Sequence, residues 1–158
     1  MSRVHYTNDD WGSIEATLNY GRWERNSVTT LRSKRGQAAL RELEQALLAL
    51  PEPKLYANTF CEVTEEGEVQ ACVLGALAYV RGLEVPDSFN WGEDSDPAEE
   101  QAYWANAAFG IAYTLAWNLI ERNDEIYGKL TPEERYTKML AWIRDQLTGA
   151  PTEPARWG

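Results

Sequence analysis

Apolar residues recur every three or four positions in the middle of the chain, the spacing of one buried face of an α-helix. Four leucines give the clearest example: Leu40, Leu43, Leu47 and Leu50. Pro51 ends this pattern because proline cannot continue a helix. Gly36 lies near its beginning, so residues 28–35 are predicted to form a separate turn that leads into the helix.

Two further helices are marked by their first residues. Asp96 precedes Pro97, and Thr131 precedes Pro132, so each start combines a capping side chain with proline in the first turn. The pattern after Asp96 continues to about residue 127, with a break predicted near Gly110. Its apolar side is predicted to carry Trp104, Ala108, Ile111, Leu115 and Leu119, widened by Tyr103, Ala107 and Trp117.

Residues 58–73 are predicted to form a β-hairpin. A loop over residues 65–67 places Val63 opposite Val69 and Cys61 opposite Ala71, which matches apolar residues across one face. Gly67 then supplies the left-handed conformation that closes such a turn. In this register the two cysteines lie on opposite faces and stay reduced.

These elements predict an α+β fold that is predominantly helical, with four to five helices and one hairpin. The hairpin must pack on the helices, since an isolated hairpin is marginal in water. A chain of 158 residues has the length of one domain, so residues 1–158 are predicted to form a single domain. Residues 1–12 and 150–158 are predicted to be loose, and residues 13–25 to form a short helix.

Charge is distributed unevenly along this acidic chain, whose net charge is −10. We call residues 22–41 the basic segment; it holds six basic residues, Arg22, Arg25, Arg32, Lys34, Arg35 and Arg41, against Glu24 alone. The segment's charge of +5 leaves −15 for the rest of the chain. We call residues 84–100 the acidic segment. It holds Trp91 and no basic residue, and its seven acids are Glu84, Asp87, Glu93, Asp94, Asp96, Glu99 and Glu100.

Several classes of function are disfavoured by composition. No apolar run approaches the ~20 residues that cross a bilayer, and the first residues given lack the apolar middle of a secretory signal, so we expect a cytoplasmic protein without membrane contact. Two cysteines and one histidine are a poor supply of zinc ligands or catalytic nucleophiles. No glycine-rich phosphate loop is present. We therefore expect no cofactor.

Helical carboxylates support an alternative, metal-dependent function. Glu121, Asp124 and Glu125 are three and four residues apart, as magnesium ligands on one helical face often are. Together with Asp96 and Glu99 they resemble the paired acidic motifs of the all-α nucleotide pyrophosphohydrolases. That resemblance implies a nucleotide hydrolase, although Asp96 is explained better as a helix cap.

The basic segment supports a second alternative, a nucleic-acid-binding or regulatory module. Arginines interleaved with Trp23 can contact phosphates and stack on bases. The charge of −15 elsewhere repels a long polyanion, which argues against direct nucleic-acid binding.

Several short stretches resemble a recurring group of uncharacterised bacteriophage and prophage proteins. They are Ser33-Lys34-Arg35-Gly36-Gln37, the leucine-rich run that follows, Glu68-Val69-Gln70-Ala71-Cys72, Asn123-Asp124-Glu125 and the helix from Thr131 to Leu147. The resemblance spans residues 23–147 and implies a small phage-borne accessory protein, with no activity to transfer.

The leading prediction is a non-enzymatic protein that binds a host protein or protein complex through the acidic segment. An inhibitor of a nucleic-acid-handling defence system, of the anti-CRISPR kind, is its sharpest form. Evenly spaced carboxylates can occupy a partner site that normally receives phosphates, and Trp91 would serve as an interface anchor. The sequence leaves open a homodimer that pairs the hairpin edges of two copies.

Overall fold

The computed structural model describes residues 29–86 and 96–148. A helical turn over residues 29–32 precedes the regular elements. These are, in chain order, α1 (Lys34–Ala49), β1 (Cys61–Val63), β2 (Val69–Ala71), α2 (Val73–Arg81), α3 (Pro97–Phe109), α4 (Tyr113–Glu121), a π-helical segment (Arg122–Ile126) and α5 (Pro132–Gln146). The prediction of a mainly helical α+β fold with one hairpin is confirmed, with slightly more helical elements than the four or five expected. The predicted loose termini and the predicted helix over residues 13–25 lie outside the described residues.

The helix starts predicted at Asp96 and Thr131 form, and Ser33 caps a further helix start inside the turn predicted over residues 28–35. The Ser33 hydroxyl accepts from the Gly36 amide ahead of α1, and the Asp96 carboxylate accepts from the Ala98 amide ahead of α3. Thr131 and Glu134 form a reciprocal capping box at α5. These contacts satisfy amide groups that would otherwise lack partners in the first turn.

The predicted break at Gly110 is present and divides the long apolar pattern into α3 and α4. Gly110 adopts a left-handed φ of 73° and ends α3. Ala102 and Ala105 are buried in α3 while Ala108 is exposed, so the prediction that one face continues through Ala108 is wrong.

The core forms where α1 packs against α2 and α5, and α4 packs against α2 and α3. The leucine stripe of α1 contributes as predicted, with Leu40, Leu43 and Leu47 at most 1% exposed. Further side chains buried to the same degree come from the loop before the hairpin and from α2, α4 and α5: Leu55, Leu74, Leu115, Leu119, Met139 and Ile143. Among the described residues, no helix is long and apolar enough to span a membrane.

The hairpin has the predicted register. Cys61 pairs with Ala71 and Val63 with Val69, and Gly67 has the expected left-handed φ of 86°. Both cysteines are free, as predicted. The shared apolar face is buried only near its base, because Ala71 is buried whereas Val63 is 58% exposed.

The hairpin base rests directly on α2 at Gly75. A Cβ atom at this position would lie 1.6 Å from the Phe60 carbonyl oxygen, far inside the distance of any real contact. Only glycine allows the strand and the helix to approach so closely. This contact fixes how the hairpin sits on the helical core.

Candidate functional site

The described part of the acidic segment separates into exposed and buried carboxylates. Glu84 and Asp96 are exposed and Glu99 is partly exposed. Glu100 is only 6% exposed, so its prediction as part of an outward anionic surface is wrong. Glu100 lies one turn before Trp104 on the same side of α3. The Trp104 ring packs against the rings of Phe60 and Phe109. The remaining predicted residues, Asp87, Trp91, Glu93 and Asp94, lie outside the described residues.

A surface with both acidic and aromatic groups lies on the outer side of α3. Asp96, Glu99 and Tyr103 follow one another at spacings of three and four, which places them on one helical face. Tyr103 is 56% exposed. Its ring packs on Tyr113 of α4, with ring centroids 4.6 Å apart and planes tilted by 36°. We call these four residues the acidic–aromatic surface.

The two carboxylates influence the phenol of Tyr113. Burial, together with the nearby negative charges of Glu99 and Asp96, raises the pKa of Tyr113 to about 12. The phenol of Tyr113 therefore stays neutral throughout the physiological pH range. Carboxylates beside the negative face of an exposed ring attract cations, above all the guanidinium of arginine.

No protein-family model, curated protein or solved structure matches this chain. The acidic–aromatic surface is therefore interpreted from its own chemistry. The phage context remains what the sequence resemblance implies.

Sequence reasoning missed the aromatic half of this surface. Tyr103 was expected to widen the buried face of the long helix, and this expectation is wrong. A signal was present, because Tyr103 lies four residues after Glu99 and seven after Asp96, positions that share one side of a helix. An aromatic residue on the same side as two acids indicates an exposed position.

The carboxylates predicted to form the alternative metal site differ in their hydrogen bonds and in their exposure. Asp124 Oδ1 accepts from the backbone amide of Asn58 at 3.1 Å and from Asn123 Nδ2 at 2.7 Å. Glu125 is exposed and Glu121 is half-buried. Glu121 is the last residue of α4, and Asp124 and Glu125 lie in the π-helical segment that follows. Because a π-helical turn is longer than an α-helical turn, residues three and four apart no longer share one face there. Across residues 29–86 and 96–148, no three side chains of His, Cys, Asp or Glu form a group able to hold a metal ion.

Asp124 instead makes stability depend on pH. Burial raises its pKa above the ordinary value of 3.8, against the opposing effects of its hydrogen bonds and of Arg135. The folded chain therefore resists ionisation of Asp124, and the stability associated with its neutral form is lost as pH rises through the raised pKa.

Asp124→Asn is expected to match the parent protein in thermal stability at about pH 3 and to exceed it increasingly towards neutral pH. The amide keeps the Oδ1 acceptor but never carries the desolvated charge. Melting temperatures recorded from about pH 3 to pH 8 test this. Asp145→Asn, at an exposed position on α5, controls for the change in net charge. A constant difference between Asp124→Asn and the parent protein at all pH values would contradict the prediction.

The basic segment is not one continuous patch in its described part. Arg32, Lys34 and Arg35 are exposed near the start of α1, while Arg41 is partly buried. Arg35 Nε donates to the carbonyl of Gly110 and so ties α1 to the junction of α3 and α4. Arg22 and Arg25 lie outside the described residues. Arg35, which was predicted as part of a nucleic-acid-binding segment, thus makes a hydrogen bond within the fold.

The thiols are unsuited to nucleophilic chemistry. Burial raises the pKa of Cys72 to about 12, and it also raises the pKa of Cys61. Since the thiolate is the reactive form, both sulfurs remain protonated. The Cys72 sulfur instead accepts from the Gly75 amide at the start of α2.

Proposed function

We propose that this chain is a non-enzymatic binding protein that engages a basic surface of a partner protein through the acidic–aromatic surface. The observation that carries the proposal is the exposed Tyr103 ring, packed against Tyr113 and flanked on its own helical face by Glu99 and Asp96. Rigid aromatic rings supply contact area at low entropic cost, and the carboxylates supply charge complementarity.

The chemistry of this surface favours arginine-rich and lysine-rich partners. Guanidinium groups can lie over the Tyr103 ring while they pair with the carboxylate of Glu99. Sites that bind nucleic-acid phosphates carry the same basic groups. The proposed target is therefore a nucleic-acid-binding site on a host protein complex, which the chain would occupy in place of the nucleic acid.

The phage resemblance supplies the biological setting. A phage accessory protein acts in the host-cell cytoplasm, and bacterial defence systems that handle nucleic acids present basic sites of this kind. The sharpest form of the proposal is an inhibitor of such a system, of the anti-CRISPR kind. The electrostatics support it, since the net charge of −10 steers the chain towards basic surfaces.

The double variant Glu99→Arg/Tyr103→Ala is expected to lower the affinity for the partner at least about tenfold with little change in melting temperature. Both side chains lie at the surface, so their loss leaves the core intact. The immobilised chain would capture its partner from bacterial lysate, and titration of the purified partner would give the affinities. Glu125→Arg/Tyr79→Ala is the matched control, because it makes the same chemical changes at exposed positions elsewhere.

Competition decides between phosphate-site occupation and other modes of binding. Short DNA or RNA that binds the captured partner should displace the chain, and the chain should displace the nucleic acid. If the α3 variant and its control bind the partner equally, the acidic–aromatic surface is not the interface. If nucleic acid and chain bind together, the chain does not occupy the nucleic-acid site.

A further inference from the structure

Among the described residues, nothing pairs with the hairpin edge along β1. The backbone bonds from Thr64 N to Glu68 O and from Cys72 N to Phe60 O mark the hydrogen-bonded pairs of the ladder. Antiparallel pairing alternates, so Cys61 and Val63 direct their N–H and C=O groups away from β2. No described residue forms a hydrogen bond with these outward groups. Cys61 is half-buried beside Gly75, so the accessible part of the edge centres on Val63.

The edge along β2 is different because the preceding chain covers its base. The Tyr56 amide donates to the Ala71 carbonyl at 2.9 Å. The Tyr56 hydroxyl donates to Glu68, whose second carboxylate oxygen accepts from Gln70. Lys54 lies beside the same strand and pairs with Glu52. The base of β2 and the charges of Glu68 and Lys54 thus have partners on this side, whereas no described residue bonds to the outward N–H and C=O of Val69.

The charge around the open edge selects the type of strand that can join it. Residues 55–80 contain four glutamates and no lysine, arginine or histidine. Glu62, Glu65 and Glu66 are exposed along β1 and its turn. Pairing of β1 with β1 of a second copy would bring two such sets together, which like-charge repulsion disfavours. A basic strand instead meets complementary charge from the glutamates around Val63.

We infer that the β1 edge is a docking site for an extended basic segment of a partner protein, which adds as a third strand beside Val63. The Val63 N–H and C=O supply the backbone bonds, its exposed side chain supplies apolar contact, and the glutamates select lysine and arginine. This site is separate from the acidic–aromatic surface on α3, and it stands whether or not that surface binds a partner.

The test uses a peptide of about ten residues with alternating lysine and valine, and a second peptide in which proline replaces each valine. Both carry the same charge, but proline removes the amide donors that strand addition needs. Hydrogen exchange of the ¹⁵N-labelled chain would be followed by NMR. With saturating lysine–valine peptide, exchange at the Val63 amide should slow about tenfold or more, and the lysine–proline peptide should leave it unchanged.

Matched proline variants locate the binding edge. Val63→Pro removes an outward amide of β1 without breaking a bond to β2, and we expect it to weaken peptide binding at least about tenfold. Val69→Pro makes the same change at the paired position on the other edge and should leave affinity unchanged. Glu99→Arg/Tyr103→Ala should also leave protection at Val63 intact, which separates this site from the surface on α3.

Four results would overturn the inference. They are absence of peptide binding, equal binding of both peptides without protection at Val63, an equal loss of affinity in the two proline variants, and concentration-dependent protection of Val63 without peptide. The last would show that a second copy occupies the edge.

Discussion

Arg135→Leu is expected to lower the free energy of unfolding by about 3–5 kcal/mol. The side chain is 4% exposed in α5, and its guanidinium donates to four backbone carbonyls: those of Leu55, Tyr127, Gly128 and Leu130. It therefore holds the loop before the hairpin and the turn before α5 in one arrangement. Leucine fills a similar space but leaves these acceptors without a donor, and that desolvation is costly.

Urea unfolding followed by circular dichroism measures this effect. Arg144→Leu is the matched control on the same helix, because Arg144 is half-exposed and forms a single 2.8 Å ion pair with Glu44 of α1. Loss of such a pair costs about 0.2–1 kcal/mol. Arg135→Lys, which keeps the charge with fewer donors, should fall between the two. Equal losses for Arg135→Leu and Arg144→Leu would show that the carbonyl contacts carry no net stability.

Gly75→Ala is expected to destabilise the fold by about 3 kcal/mol, although alanine favours helix over glycine by about 1 kcal/mol. The added methyl group would occupy the position of the Phe60 carbonyl. This atom belongs to the backbone and cannot move without displacing the hairpin from α2. The sign of the effect thus separates steric overlap from helix propensity.

Gly82→Ala is the control for this substitution at the other end of α2. Gly82 has a left-handed φ of 68°, and an added Cβ would meet no atom within 4 Å. We expect a loss of about 1 kcal/mol from backbone strain alone. Calorimetric melting of both variants gives the comparison. A stabilised Gly75→Ala protein would mean that the hairpin does not approach α2 as closely as described.

Local rules made much of the fold predictable from the sequence. Asp96 and Thr131 mark helix starts because capping involves only neighbouring residues, and Gly110 marks a break through its own φ. The hairpin register follows from matching Val63 with Val69 across a short turn. Each inference needed information from fewer than about fifteen consecutive residues, a range over which pattern and propensity decide structure.

Long-range packing made the rest unpredictable. Arg135 lies four residues before Met139 on the buried stripe of α5, yet its acceptors come from residues 55 and 127–130, which only the folded chain brings together. Glu100 is buried and Tyr103 is exposed, the reverse of what the pattern predicts. The reason is that Phe60 covers the side of α3 that carries Trp104 and Glu100. The sequence pattern therefore marked the two acids of the candidate site, Asp96 and Glu99, but not its two tyrosines, Tyr103 and Tyr113.

The π-helical segment also holds the hairpin to the end of α4 through hydrogen bonds of one side chain. Asn123 is fully buried there; its side chain donates to the Tyr56 carbonyl before the hairpin and accepts from the Val73 amide after it. One amide group thus ties both ends of the hairpin to the widened end of α4. The hairpin cannot separate from the core without breaking both of these hydrogen bonds, and the same Asn123 side chain also donates to Asp124.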